Sequence, residues 1–341
     1  MRHALEGIGG SLVALPTPFR DTGIDEAALR GLVERQISGG TVALVACGST
    51  GEAPALTEIE AAEVVRIVVR AAAGRVPVIA GCTASGTARS VALAVDAARL
   101  GADALLCAPP PYTKPTQDGI AAHIRAVSHA ASLPMVLYDV PSRAGVAVAD
   151  ATVARLFADE MIVGVKDATA DLSRPPRLRA LCGNRLLQYS GDDATAAAHR
   201  AMGGTGCISV TANIVPGLCA KLHRSWDEGD LTEFARLRDE LDPLHAALFA
   251  ESNPIPLKVA LSELGLCSDA VRLPLTRAVS ATVSRLHTVM SRCDLTTAPG
   301  TAVLICADRP NQGCPIWGEE SAFTLSRSLD DDEPALPSPR R

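Results

Sequence analysis

Short apolar runs, rich in leucine and β-branched residues, recur along the chain, and each is followed by an alanine-rich stretch with helical spacing of its apolar positions. The runs lie at Gly10–Leu15, Ala43–Cys47, Val76–Gly81, Ala104–Ala108, Met135–Asp139, Ile162–Lys166, Leu186–Ser190 and Gly206–Val210. Regular exchange between strand-length and helix-period patterns is the mark of βα units joined into a parallel sheet. The runs are apolar throughout instead of alternating with polar residues, which predicts strands covered on both faces. Between them, helices are predicted over Glu58–Ala73 and Thr87–Leu100. Thr57 with Glu60 three residues later reads as a helix start, and Gly101 as a helix stop.

Eight such units within about 250 residues predict a closed (β/α)8 TIM barrel of the α/β class. The competing fold, an open doubly wound sheet, is disfavoured because the first strand runs into Pro16-Thr17-Pro18 and not into a G-x-G-x-x-G turn. Three further helices are predicted at Leu231–Phe249, Pro256–Leu264 and Leu275–Cys293. The expected organisation is therefore a barrel over 1–228, C-terminal helices over 229–295 packed on it as part of the same unit, and a tail over 296–341. From about Thr296 the composition shifts to Pro, Ser, Asp and Gly, ending in Asp330-Asp331-Asp332-Glu333 and Pro337-Ser338-Pro339, and this tail is expected to be poorly ordered.

Composition narrows the function class. With 48% hydrophobic and 21% charged residues the chain has ordinary globular values. A net charge of −6 argues against a nucleic-acid partner, which needs a basic face. No apolar run has the roughly 20 residues of a membrane span, and Met1–Gly10 lacks the apolar core of a secretory signal, so the expected location is the cytoplasm. The ten cysteines are scattered without a C-x-x-C pair and read as small buried residues, not disulfides. No His, Cys and carboxylate cluster has zinc spacing, so no metal is expected.

Lysine is scarce, at Lys114, Lys166, Lys221 and Lys258 only. Lys166 alone falls inside a predicted strand, at its carboxyl end, where barrel enzymes build their sites. Desolvation there disfavours the charged amine and favours the neutral form that attacks carbonyls. The structural alternative is an ion pair with Asp167 or another carboxylate. One strand earlier, Tyr138 ends the run Met135–Tyr138, where a phenol can pass protons to a neighbouring amine or oxygen, or simply fill the core. Gly48-Ser49-Thr50-Gly51-Glu52 is a turn of small residues able to hold a carboxylate, or only a βα loop. Arg143 is a candidate carboxylate clamp through its planar fork, with a solvated surface arginine as the alternative. Pro109-Pro110-Pro111 would hold Tyr112 rigidly outward.

In order, spacing and placement these motifs resemble the dihydrodipicolinate synthase and N-acetylneuraminate lyase family of class I aldolase-type barrels. The resemblance runs from about Gly9 to His287 through Gly48–Glu52, Tyr138 with Pro141, Gly164-Val165-Lys166-Asp167, Ser190-Gly191-Asp192-Asp193, Gly206–Val210 and Asn253-Pro254-Ile255-Pro256. It implies that Lys166 forms a Schiff base with pyruvate and that Tyr138 donates and accepts protons, with no separate cofactor. It further implies a proton relay through Ser49 and a Tyr112 delivered by a neighbouring subunit. Thr50, the backbone at Ile208 and Gly191 would bind substrate. Arg143 after Tyr-x-x-Pro-x looks like the synthase branch, where that arginine binds the carboxylate of aspartate semialdehyde. The product would then be 4-hydroxy-tetrahydrodipicolinate, on the diaminopimelate and lysine route, made by a homotetramer built as a dimer of dimers.

The chain also departs from the family. Ser49 stands where threonine is common, keeping the hydroxyl but losing the methyl that restricts its rotamer. Ala61, Ser85, Arg89 and Pro111 replace the polar, acidic and tyrosine groups of lysine-inhibited members, so inhibition by lysine is not expected. Two other functions remain open from the residues alone. One is a pyruvate-dependent aldolase or lyase for sugar-derived 2-keto acids or hydroxy-oxo acids; the other is a non-catalytic metabolite-binding barrel.

Overall fold

The computed structural model describes residues 4–20 and 23–292. Eight parallel strands close into a barrel: β1 Gly10–Ala14, β2 Ala43–Ala46, β3 Val78–Gly81, β4 Ala104–Cys107, β5 Met135–Asp139, β6 Gly164–Asp167, β7 Leu187–Ser190 and β8 Gly206–Ser209. Each strand pairs with its sequence neighbours, and β1 closes the ring against β8 with Leu12 opposite Ile208. The chain is a (β/α)8 TIM barrel, as the strand and helix periods predict, with strand ends shifted by two residues or fewer.

The continuous apolar strands divide into two cores because successive side chains point to opposite faces. Leu12, Val45, Ile79, Leu106, Val136 and Tyr189 fill the barrel interior. Their immediate neighbours Val13, Leu44, Ala80, Leu105 and Leu137, together with Val165 on β6, pack outward against the helices. Glycine is required where strands close up. A Cβ on Gly206 would lie 2.2 Å from the carbonyl oxygen of Gly10.

Local signals set the helices. Glu58–Ala72 starts with a capping box in which the Thr57 hydroxyl accepts from the Glu60 N–H and the Glu60 carboxylate accepts from the Thr57 N–H. Thr87–Arg99 ends before Gly101, whose φ of +89° suits glycine. The eighth barrel helix, Pro216–Glu228, is followed by helices Leu231–Leu248, Ile255–Glu263 and Ser280–Arg292. The last begins five residues later than its apolar pattern suggests. The segment before it is an irregular turn-containing stretch near the barrel mouth, where the Arg272 N–H donates to Glu52 (2.8 Å) and its guanidinium to Glu60 (2.5 Å). The tail over 296–341 lies outside the described residues. None of the described helices is long and apolar enough to cross a membrane.

His223 on Pro216–Glu228 packs beneath β1 with its Cβ 3.7 Å from the site of a Cβ on Gly10. Burial, reinforced by the Arg200 charge, pushes its pKa down to about 3. The unfolded chain takes up that proton near the ordinary value of about 6.5. The contribution is therefore fully present above that value and is lost as pH falls towards 3. His223→Met is expected to flatten the acid-side loss of unfolding free energy by about 1.4 kcal/mol per pH unit between roughly pH 6 and 4. Denaturant titrations of both proteins across that range measure it; identical slopes would refute the assignment.

Candidate active site

Tyr138 and Lys166 occupy paired positions on β5 and β6, in register with each other. Both side chains lie on the interior face at the carboxyl ends of their strands, where loops enclose the mouth. Lys166 is 6% exposed and its Nζ sits 4.4 Å from the centre of the Tyr138 ring. Among the described residues no carboxylate lies within ion-pairing distance of that amine. Asp167 is not its partner, because the next residue along a strand faces the other way; its carboxylate accepts instead from the N–H (2.8 Å) and hydroxyl (2.6 Å) of Thr169.

The second buried lysine is a useful contrast. Lys258 is fully enclosed, but its amine pairs with Glu52 (2.5 Å), donates to the Ala270 carbonyl (2.7 Å) and lies 4.1 Å from the centre of the Phe19 ring. A nitrogen occupied in this way is structural. Burial lowers the pKa of Lys258 despite the Glu52 carboxylate.

Gly191 follows β7 and borders Lys166 directly. A Cβ at Gly191 would meet the Lys166 Cε at 3.1 Å and the Ala168 Cβ at 3.0 Å, while its N–H donates to the Asp167 carbonyl at 2.7 Å. The absence of a side chain gives the lysine its channel. Two residues on, Asp193 accepts from the backbone N–H groups of Val210 (2.8 Å) and Thr211 (3.2 Å), tying this loop to the end of β8. Ile208 on that strand is buried in the interior cluster that also contains Tyr138 and Tyr189.

A cavity of about 540 Å3 opens at this end, with Ser49, Tyr138, Arg143 and Asn253 in its wall. Lys166 is not in that wall; it lies behind the Tyr138 ring. The Gly48–Glu52 turn forms one side, fixed by the Glu52–Lys258 pair and by the Thr17 hydroxyl, which donates to the Gly51 carbonyl (2.7 Å). Thr50 is buried, and its hydroxyl accepts from Asn253 Nδ2 at 2.9 Å. Three arginines reach the cavity. Arg272 is paired with Glu60, and Arg89 lies 3.6 Å from Glu58. Arg143 has no carboxylate partner among the described residues and donates only to the Asn253 carbonyl, at 3.2 Å.

Tyr112 stands apart from this group. Its ring is 94% exposed and its backbone is left-handed, with φ +75°, a conformation unusual for a bulky residue. Sequence reasoning also passed over Asn253 as a site residue, although it joins Thr50 to Arg143. Its signal was the Asn-Pro pair ahead of an apolar helix, which by itself reads as a turn.

A closed parallel barrel with an unpaired lysine, a phenol against it and an unneutralised arginine at the mouth defines a barrel enzyme equipped for carbonyl chemistry on an anionic substrate. The comparisons narrow the class. The chain belongs to the dihydrodipicolinate synthetase family, whose sequence profile matches residues 7–292. It is 48% identical over 288 residues to the 4-hydroxy-tetrahydrodipicolinate synthase of Rhodospirillum centenum, covering 84% of this chain and 99% of that protein. Identity to the enzyme of the same name from Acidiphilium cryptum is also 48%, over 83% of this chain and 97% of the relative. Among solved structures, dihydrodipicolinate synthase of Aquifex aeolicus matches with a TM-score of 0.83 at 36% identity, covering 85% of this chain and 99% of that one. The chloride-inhibited enzyme of Acinetobacter baumannii complexed with pyruvate matches at 0.81 and 41% identity, over 83% and 98% of the two chains.

Gly191→Ala would set its methyl against the Ala168 Cβ (3.0 Å), the Asp167 carbonyl oxygen (3.1 Å) and the Lys166 Cε (3.1 Å), a crowding that a shift of a few tenths of an ångström relieves at the lysine end. The substitution should slow covalent modification of that amine by about tenfold or more through misplacement. Comparing the rates at which wild type and variant are modified at Lys166 by a small carbonyl reagent, alongside their circular dichroism, checks this; equal rates would show that Gly191 does not shape the lysine channel.

Proposed function

We propose that the protein condenses pyruvate with L-aspartate-4-semialdehyde to 4-hydroxy-tetrahydrodipicolinate, on the route to diaminopimelate and lysine. The observation that carries this reading is the unpaired Lys166 amine held against the Tyr138 ring in a mouth where Arg143 also lacks a carboxylate partner.

In this reading Lys166 Nζ attacks the C2 carbonyl of pyruvate, and water leaves to give an imine. Tyr138 passes the protons, relayed through the Ser49 hydroxyl in the cavity wall. Loss of a proton from C3 gives an enamine, whose carbon attacks the aldehyde carbon of the second substrate. The ring nitrogen of the product comes from that substrate's own amine, so this amine displaces Lys166 from C2 and restores the enzyme. Lys166 supplies the electron sink itself, and the reaction calls for no metal or organic cofactor.

The two carboxylates need separate partners. Thr50 and the backbone at Ile208 would take that of pyruvate, with Asn253 orienting the Thr50 hydroxyl and Gly191 lining the substrate site beside Lys166. Arg143 would take that of the semialdehyde in a two-pronged pair. Tyr112 is assigned to the site of a neighbouring copy. Its outward ring, on a loop stiffened by three prolines, supports an assembly of at least two chains. The assembly proposed is a homotetramer of two dimers, acting in the cytoplasm. The cavity continues to Ala61, Ser85 and Arg89, where a guanidinium would repel the ammonium group of lysine.

Incubation with pyruvate and borohydride should add a stable reduced adduct to the Lys166 peptide by mass spectrometry, with none in Lys166→Ala. No adduct on the wild type would sink the proposal. Arg143→Ala should raise the KM for aspartate semialdehyde by about tenfold to a hundredfold while pyruvate trapping stays at the wild-type level. An unchanged KM, with sugar-derived 2-keto acids cleaved instead, would point to the aldolase alternative. Free lysine at millimolar concentration should leave the rate unchanged, and steady-state assays with added lysine test this.

A further inference from the structure

We infer that Arg174 is a positioning residue for the Lys166–Tyr138 pair, acting through the two carboxylates that follow that pair in the chain; the inference rests on the proposed Schiff-base reading.

The alternation of side chains along β5 and β6 carries the case. Tyr138 and Lys166 face the barrel interior, so Asp139 and Asp167, the next register pair, face outward into the layer beneath the helices. Both carboxylates are buried there. Arg174 opens the helix Arg174–Cys182 after β6 and is itself 3% exposed. Its Nη1 donates to Asp139 Oδ2 at 2.7 Å and lies 3.4 Å from Asp167 Oδ2. Its Nη2 donates to the Val148 carbonyl at 2.7 Å, and its Nε to Asp150 Oδ1 at 2.9 Å. One planar guanidinium therefore holds the ends of two adjacent strands and the loop that follows the first of them.

The electrostatics agree with this role. Burial works against the Arg174 charge, but the Asp167 and Asp139 carboxylates more than offset it and hold its pKa above the ordinary value. Burial also raises the pKa of Asp139, more than Arg174 lowers it. Without the guanidinium two buried carboxylates would face each other across adjacent strands with no cation between them. Strand ends that part or slip would change the 4.4 Å approach of amine to phenol on the opposite face. Arg174 does not line the cavity, so it would act on the reaction from beneath, through the backbone of these two strands and the balance of charge behind them.

The test uses the full chain, with the wild type first carried through pyruvate and borohydride trapping. Two variants follow. Arg174→Lys keeps a cation but not the fork that reaches all partners. The triple variant Arg174→Met with Asp139→Asn and Asp167→Asn removes the clamp without leaving an unpaired buried charge. Rates are expressed per trappable Lys166, so that loss of folded protein does not count as loss of rate. The expected result is a fall in kcat per trappable site of about a hundredfold in the triple variant. A smaller fall is expected in Arg174→Lys, with KM for aspartate semialdehyde unchanged in both. A purely structural role predicts fewer trappable sites and a lower Tm but a wild-type rate at each remaining site, and that outcome overturns the inference. If the triple variant does not fold, Arg174→Lys decides between the same two results. A wild type that forms no adduct overturns the Schiff-base reading and this inference with it, and is told apart because it precedes any substitution.

Discussion

The site depends on the pairing of β5 with β6 in a register that sets Tyr138 beside Lys166 and Asp139 beside Asp167. A strand period of two then assigns the first pair to the interior and the second to the helix-facing layer. The Lys166 amine and the Tyr138 phenol share a buried space without a counter-charge, while the neighbouring carboxylates are neutralised outside it by Arg174. A slip of one residue between these strands would exchange the faces and place carboxylates against the lysine. The closed ring resists such a slip, because each strand is also paired on its far side.

Charge is sorted in the same way around the mouth. Lys258, Arg272 and Arg89 lie beside glutamates, and these contacts hold the Gly48–Glu52 turn, the segment after Arg272 and the start of the Glu58–Ala72 helix near one another. Lys166 and Arg143 have no carboxylate partner among the described residues. The cations that build the wall are thereby distinguished from those left without a carboxylate partner among the described residues. A buried, paired lysine and a buried, unpaired one differ little in exposure but greatly in what their nitrogen can do.

Much of this was legible along the chain. Strand runs apolar at every position required cover on both faces, and their number with the helical stretches between them predicted the closed barrel. The capping pair Thr57 and Glu60 and the glycine after Leu100 marked helix limits correctly. Lys166 at a strand end was visible because lysine is rare here and seldom lies in an apolar run. The later start of the last helix was not legible. Its amphipathic pattern extends back towards Leu275, and long-range bonds from Arg272 to Glu52 and Glu60 and from the Val279 N–H to Glu251 hold the preceding segment outside the helix.

The local order of residues determined the periodicity, the strand ends and the short motifs, because each of these is a property of a few consecutive positions. Tertiary structure decided which charges are neutralised, since the partners are distant in sequence: Glu52 with Lys258, Asp139 with Arg174, and Thr50 with Asn253. Arg174, between a serine and two prolines, looks locally like any solvated arginine at a helix start. Its burial against two strand-end carboxylates exists only once β5, β6 and the helix after them have closed on one another.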